Sequence, residues 1–234
     1  MEGTNKVNNH FVKYKDLLTV KYYDKESDKE EFVLLPLEDD LVFGKYQKIK
    51  NMLEYGDKIA VRKTIYAKLL NVANKIKKEY PQYKILVAFG YRDMKVQKKF
   101  FYEVLEKVKN DFTDEMEMYE YIHEKVAVPE VSGHPTGGAV DVAIYDSSTN
   151  SILDYGCEIL DYSTHSCYYV TDGLTENQKE NRKMLRKYML EEGFAPYDGE
   201  WWHFSYGDKE WAFYYKKEKA LYNQVDAERV FSRR

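Results

Sequence analysis

Apolar side chains in this chain recur at two spacings, and the spacing distinguishes predicted helices from predicted strands. The clearest helical set has residues three or four apart and ends before Pro81: Ile65, Leu69, Val72 and Ile76. Thr175 followed by Gln178 resembles a capping box, which predicts a helix that starts there and stops at Gly193. Together the patterns predict helices over 61–80, 96–108, about 114–125, and between 175 and 193.

Short apolar or aromatic runs next to glycines and other turn residues predict strands. The predicted strands are 17–23, 84–89, 139–145, 201–206 and 211–215. Helices and strands are mixed without a repeating βαβ order, so the predicted fold class is α+β, with a small, mostly antiparallel sheet and flanking helices. The sequence contains no internal repeat and no obvious linker, and we therefore expect residues 1–234 to form a single domain.

Charge and hydropathy exclude several classes of partner. The net charge is −4, with 36 basic and 40 acidic residues spread along the chain, so no basic field favours nucleic-acid binding. No apolar run is long enough to cross a membrane and no signal peptide is evident, which predicts a soluble, cytoplasmic protein. The two cysteines, Cys157 and Cys167, are too few for a disulfide framework and are expected to be reduced.

Two short motifs contain residue types suited to hydrolytic metal chemistry. The first runs from Ser132 to Asp141 and includes His134, and the second is Glu200-Trp-Trp-His203. Two imidazoles and a carboxylate can share one metal ion, and a further carboxylate can serve as a base. Taken singly, each of these residues is more often a partner in local hydrogen bonds. Glu200 and His203 reach one site only if a bend precedes the strand.

The pattern Ser-x-His followed by Asp, then Glu-x-Trp-His, resembles the zinc D-alanyl-D-alanine dipeptidases of the VanX type, which are related to D,D-carboxypeptidases. The resemblance runs from about Gly90 to His203 and includes the Gly90-Tyr-Arg92 turn. Residues 1–80 match no part of the family that we can name and form a divergent N-terminal part. The basic end, from about residue 218 to 234, is expected to be a frayed tail.

The resemblance implies a hedgehog/D,D-peptidase-like zinc fold with one Zn²⁺ per chain. It implies His134, Asp141 and His203 as zinc ligands, and Glu200 and Arg92 as catalytic residues. Ser132 matches a residue near the substrate in the family. Asp161 is the weaker match to the acid that receives the substrate ammonium, and Glu158 is its alternative.

The implied activity is hydrolysis of the free dipeptide D-alanyl-D-alanine, with water activated by Glu200. A zinc D,D- or L,D-carboxypeptidase acting on peptidoglycan peptides is the first alternative. A catalytically silent zinc-binding module is the second, and retention of both Glu200 and Arg92 argues against it. A non-haem iron site is disfavoured because six residues separate His134 from Asp141. The expected partner is a small dipeptide, and the oligomeric state is left open.

Overall fold

The computed structural model describes residues 11–22, 29–47 and 52–231. The α-helices are α1 Tyr14–Leu18, α2 Lys63–Glu79, α3 Met94–Val108, α4 Glu115–His123, α5 Glu176–Glu191, α6 Lys209–Tyr214 and α7 Ala227–Phe231. The strands are β1 Phe32–Leu34, β2 Val42–Gly44, β3 Ala60–Arg62, β4 Tyr83–Phe89, β5 Ala139–Asp146, β6 Ser151–Ile152, β7 Ala195–Pro196 and β8 His203–Ser205. Short 3-10 helices cover Leu53–Tyr55, Pro129–Val131, His134–Thr136 and His165–Cys167.

The main sheet has the strand order β2-β4-β5-β8-β7, and β6 pairs with the outer end of β5. In this sheet β2 and β4 pair parallel, whereas β5 pairs antiparallel with β4, β6 and β8. β1 and β3 form a separate antiparallel ribbon. The predicted α+β class with a small, mostly antiparallel sheet is confirmed.

One face of this sheet is covered by α2 and α5. The apolar stripe of α2 is buried as its spacing predicts, and it joins Leu185 and Met189 of α5 in the largest core cluster. Val140, Val142 and Ile144 of β5 belong to the same cluster, whereas Asp141 lies between two of them in the alternating order. The pleat of β5 therefore turns Asp141 to the opposite face of the sheet.

Predicted helices and central strands agree with the structure to within a few residues. The capping box of α5 is present, with reciprocal hydrogen bonds between Thr175 and Gln178, and Gly193 ends the segment at φ +78°. Cys157 and Cys167 both lie in the described part of the chain, and no disulfide joins them. No helix in the described part of the chain is long and apolar enough to cross a membrane.

Two predicted strands are wrong. Within 17–22 the chain forms the end of α1 and a loop, and residue 23 lies outside the described residues. Leu17 and Val20 are buried by contacts with other helices and loops, and this packing overrides the β propensity of the run. Residues 211–214 belong to α6, because Asp208 caps the helix by accepting a hydrogen bond from the amide of Trp211 at 2.9 Å.

The tail expected from about residue 218 is also wrong, as far as residue 231. Ala220, Tyr222, Val225 and Val230 are buried, and α7 packs in a cluster that includes Tyr91. The sequence shows no long apolar pattern here because the buried residues are scattered along an irregular segment and the short helix α7. Residues 232–234 and the N-terminal residues 1–10 lie outside the described residues.

Candidate functional site

The antiparallel pairing of β5 with β8 brings Asp141 and His203 together. The two residues are direct partners in the register, and Nδ1 of His203 lies 3.0 Å from Oδ1 of Asp141. Both side chains are almost entirely buried. Residues that are 62 positions apart in sequence thus form one end of a polar cluster on the sheet.

His134 reaches the cluster from the tight turn that precedes β5. Its Nδ1 lies 2.8 Å from the carbonyl oxygen of Gly90, which accepts its proton and leaves Nε2 bare. That Nε2 lies 3.5 Å from Oδ2 of Asp141. The turn depends on Gly137, which has φ +73° and whose missing Cβ would stand 2.3 Å from a ring carbon of Phe32.

These three side chains fit a divalent metal ion. One ligand atom from each of His134, Asp141 and His203 lies within 4.8 Å of the other two. Oδ2 of Asp141 is buried and has no hydrogen-bond partner among the described residues. A buried carboxylate oxygen without a donor is costly, and a cation would satisfy it. Two imidazoles and one carboxylate are a donor set that zinc accepts, with further positions left open.

The electrostatic surroundings of the three side chains favour a bound cation. Burial lowers the pKa of His134, which keeps its imidazole neutral as a ligand must be. Burial alone would raise the pKa of Asp141, but the two histidines outweigh it and hold the pKa well below its usual range. For His203, the lowering by burial is outweighed by Glu210 and Asp141, and its pKa is raised. The surroundings of His203 are therefore negative and favour a cation.

Glu200 lies beside the cluster because a turn separates it from β8. The amide of His203 bonds to the carbonyl oxygen of Glu200 at 3.2 Å, and the bend expected at residues 198–199 is present. Trp202 Nε1 donates to Oε2 of Glu200 at 2.9 Å, and the same oxygen lies 3.9 Å from Nδ1 of His203. Burial, with the charges of Asp141 and Glu210, raises the pKa of Glu200 to about 7 against the opposing effect of His203 and Arg92.

Arg92 supplies a buried guanidinium opposite these carboxylates. Its Nη1 donates to Oε1 of Gln97 at 2.8 Å, and its guanidinium carbon lies 4.6 Å from the centre of the Phe89 ring. Nε of Arg92 is buried without a partner among the described residues. The amide of Arg92 also bonds to the carbonyl oxygen of His134 at 3.2 Å, which ties the Gly-Tyr-Arg turn to the turn of the first motif.

A cavity of about 330 Å³ opens on this group. Its inner wall is formed by side chains of both motifs and their neighbours: Arg92, Ser132, His134, Tyr162, Glu200, His203 and Glu210. Oγ of Ser132 is buried there with no hydrogen-bond partner in the described part of the chain, so it is available to a ligand. The outer wall is formed by α3, through Phe100, Val104 and the exposed Lys107.

Not every predicted site residue lies at this cavity. Asp161 lies in a turn where it accepts a hydrogen bond from the amide of Ser163 at 3.0 Å, and Glu158 is exposed beside a different surface depression. Among the described residues that line the cavity, neither carboxylate is present, although Tyr162 next to Asp161 is. The structure thus unites His134, Asp141, His203, Glu200, Arg92 and Ser132, and leaves Asp161 and Glu158 apart.

Glu210 is a charged residue of the cavity that the sequence motifs do not indicate. Its Oε2 lies 3.3 Å from Nε2 of His203, on the opposite side of the ring from Asp141. The segment was interpreted as the approach to a strand, although Asp208 with an acidic residue two positions later is a typical helix start. That signal would have placed Glu210 in the first turn of a helix directly after β8.

Comparison with known proteins gives a family match over most of the chain. The family Peptidase_M15, described as D-ala-D-ala dipeptidase, matches residues 42–224. A D-alanyl-D-alanine dipeptidase of Synechocystis is 31% identical over 169 residues, which cover 62% of this chain and 68% of that protein. A D-alanyl-D-alanine dipeptidase of Enterococcus faecium is 30% identical over 82 residues, which cover 35% of this chain and only 40% of that protein.

Solved structures with a similar fold include the LD-carboxypeptidase LdcB. The similarity has a TM-score of 0.45 and 21% sequence identity, and it covers 90% of this chain and 95% of that one.

Proposed function

The chain belongs to the Peptidase_M15 family of D-Ala-D-Ala dipeptidases, and from this membership we propose that it is a zinc-dependent hydrolase that splits D-alanyl-D-alanine into two D-alanines. The observation that carries the proposal is the position of Glu200. Its carboxylate is fixed by Trp202, lies 3.9 Å from the inner nitrogen of His203, and faces the same cavity as Arg92. A structural metal site needs neither a buried base nor a buried guanidinium beside it.

In this proposal His134, Asp141 and His203 hold one Zn²⁺. When bound, the ion would supply Lewis-acid polarisation of the scissile carbonyl and of the attacking water. Nε2 of His134 and the unpartnered Oδ2 of Asp141 are two of the atoms available to it, because Gly90 already takes the proton on Nδ1 of His134. The carboxylates of Asp141, Glu200 and Glu210 against the single charge of Arg92 leave an excess of negative charge that a divalent cation offsets.

Proton transfer is assigned to Glu200. Its raised pKa, about 7, suits a group that takes a proton from water and later returns it near neutral pH. The carboxylate accepts the proton as the water oxygen bonds to the carbonyl carbon, and it delivers that proton to the leaving amine as the C–N bond breaks. The guanidinium of Arg92 donates hydrogen bonds to the oxyanion formed between these events. Ser132 Oγ donates to the substrate at the base of the cavity, and Asp161 stays a prediction for the ammonium.

A carboxypeptidase is the second candidate, because the cavity also has room for a longer peptide. The space continues past the catalytic side chains along α3 to the exposed Lys107. A peptide longer than two residues could extend along this wall, whereas a dipeptidase has to close on a free ammonium.

Release of free D-alanine by the zinc-loaded protein tests both candidates, with D-alanyl-D-alanine and its N-acetylated form supplied in parallel. We expect turnover of the free dipeptide alone. Cleavage of the blocked peptide at a similar rate would instead assign a carboxypeptidase. Glu200→Gln is expected to retain one zinc per chain and lose about 10²–10⁴-fold in kcat, whereas His203→Ala is expected to lose the zinc. Full zinc occupancy in an inactive His203→Ala protein would contradict the ligand set.

A further inference from the structure

We propose that Glu210 is a positioning residue for His203, accepting the proton on Nε2 and so directing Nδ1 of the same ring toward the metal. The inference rests on the proposed function, because it takes the metal site of His134, Asp141 and His203 as its starting point. It assigns a role to a carboxylate that lines the cavity.

The two nitrogens of His203 face different groups. Nδ1 lies 3.0 Å from Oδ1 of Asp141 and 3.9 Å from Oε2 of Glu200, on the side where the ligand atoms converge. Nε2 lies 3.3 Å from Oε2 of Glu210. A neutral imidazole carries one proton, so a ring that binds a metal through Nδ1 must carry its proton on Nε2.

That proton needs an acceptor, because Nε2 is buried. It makes no well-aligned hydrogen bond within the described residues, and the carboxylate of Glu210 stands close enough to form one after a small rotation. A buried donor left without an acceptor is costly. This cost favours a hydrogen bond from Nε2 to the carboxylate of Glu210 once a metal holds the ring. Glu210 therefore selects the tautomer that His203 needs as a ligand.

The other imidazole ligand shows the same arrangement with the nitrogens exchanged. His134 donates from Nδ1 to the carbonyl oxygen of Gly90 and turns Nε2 inward. One ligand is thus oriented by a backbone carbonyl and the other by a carboxylate. A carboxylate behind a metal-binding imidazole also increases the electron density that the ring offers to the ion.

The backbone of Glu210 is held at a fixed distance from His203. Gly207 turns the chain at φ +78° directly after β8, and Asp208 then caps α6 through the amide of Trp211. Glu210 follows in the first helical turn, and its side chain is only 13% exposed. A rigid, mostly buried carboxylate is suited to orienting a ring rather than to following a mobile ligand.

The test compares zinc dissociation constants, measured by competition with a chromophoric chelator, for the full chain and three variants. Glu210→Ala is expected to bind zinc about 10–100-fold more weakly. Glu210→Gln should lose less, because its amide oxygen can still accept the proton. Glu103→Gln is the matched control: it removes one negative charge at the exposed rim of the same cavity, and its zinc affinity should equal that of the wild type.

Nitrogen-15 labelling of histidine supplies a second readout that does not depend on activity. In the zinc-loaded wild type we expect a slowly exchanging Nε2 proton on His203, retained in Glu210→Gln and lost in Glu210→Ala. Circular dichroism establishes that the variants fold. If the Ala variant does not fold, Glu210→Leu replaces it, because leucine keeps much of the side-chain volume and has no acceptor for the Nε2 proton.

Wild-type zinc affinity in both Glu210 variants would overturn the inference while leaving the proposed function intact. A raised KM for the free dipeptide with unchanged zinc affinity would also overturn it, because Glu210 would then act on the substrate and not on the metal ligand. A wild-type protein that binds no zinc at all would remove the proposed function and this inference together.

Discussion

The guanidinium of Arg92 owes its direction to one neutral side chain. Gln97 is fully buried in α3, accepts from Nη1 of Arg92 at 2.8 Å, and donates to the carbonyl oxygen of Ala127 at 2.7 Å. Because this support adds no negative charge, it fixes the guanidinium without neutralising it. In the proposed mechanism, the arginine would then meet the developing oxyanion with its full charge.

Gln97→Leu should therefore reduce catalysis while leaving the metal in place. The change removes both hydrogen bonds at nearly constant volume and lets the guanidinium move, and a displacement of this kind costs about 10²-fold in kcat/KM. Zinc content and kcat/KM measured on the same preparation check this. A variant that loses zinc in parallel with activity would show that Gln97 supports the fold rather than Arg92.

Asp208 should make the stability of the protein depend on pH. Burial, reinforced by Glu210, raises the pKa of Asp208 to about 7, whereas an unfolded aspartate has a pKa of about 3.9. Between these values the folded state holds a proton that the unfolded state releases, so the free energy of unfolding falls as the pH rises from about 4 to about 7. Asp208→Asn still caps α6 and has no such titration.

Urea unfolding of the wild type and Asp208→Asn at a series of pH values measures this effect. The variant should gain stability relative to the wild type as the pH increases, and the difference should level off above about pH 7. A difference that stays constant between about pH 5 and pH 8 would mean that the Asp208 carboxyl does not titrate in this window.

At the scale of elements, a segment can be predicted when its own residues form a pattern long enough to specify a helix or strand without distant contacts. The stripe of α2, the run of β4 and the capping box of α5 each carry their own signal, and the structure confirms all three. The strand predicted at 211–215 failed because aromatic residues with high β propensity occupy a helix set by one cap, at Asp208. Missing α6 meant missing Glu210, so an error in one element removed a residue from the site.

The turn before β5 positions His134 in the proposed metal site. Gly137→Ala would place a methyl group 2.3 Å from a ring carbon of Phe32 and would hold an alanine at φ +73°. The turn must then move, and His134 moves with it. We expect a loss of zinc affinity of at least 10-fold together with a lower melting temperature.

Gly173→Ala is the control for this change. It has a similar positive φ of +84°, but its added methyl group would meet no atom within 4 Å. Its backbone strain should lower the melting temperature without altering zinc affinity. Equal zinc affinities in the two variants would contradict the dependence of His134 on the turn.

At the scale of the whole molecule, the site is assembled from segments that are distant in sequence. In the sequence, only short motifs identify these segments as parts of one site. The family predicted from Ser-x-His, Asp and Glu-x-Trp-His is confirmed by the match over residues 42–224, and with it the peptidase class. The match also begins well before Gly90, within the part that we took to be divergent. The motifs do not reveal the long-range backbone contacts that support the site. The C-terminal segment predicted to be a tail makes such contacts.

This C-terminal segment connects the turn that contains Arg92 to the turn that contains His134. The amide of Val225 bonds to the carbonyl oxygen of Pro135 at 3.0 Å, and the hydroxyl of Tyr91 donates to the carbonyl oxygen of Val225 at 2.8 Å. Gln224 also donates to the carbonyl oxygen of Ser132 at 3.1 Å. One short stretch therefore bridges the residues next to Arg92 and next to His134.

Removal of residues 223–234 should consequently weaken both the fold and the metal site. The deletion removes the buried side chains of Val225 and Val230, whose burial stabilises the fold by about 1.5–3 kcal/mol each. It also leaves the carbonyl oxygen of Pro135 without the amide of Val225. Tyr91→Phe removes only the hydroxyl contact and should cost about 1 kcal/mol with little loss of zinc. Urea unfolding and zinc competition measure the stability and the zinc affinity of the two variants, and both should be lower in the deletion than in Tyr91→Phe. If the deletion lowered stability but bound zinc as tightly as Tyr91→Phe, the C-terminal segment would stabilise the core without orienting His134.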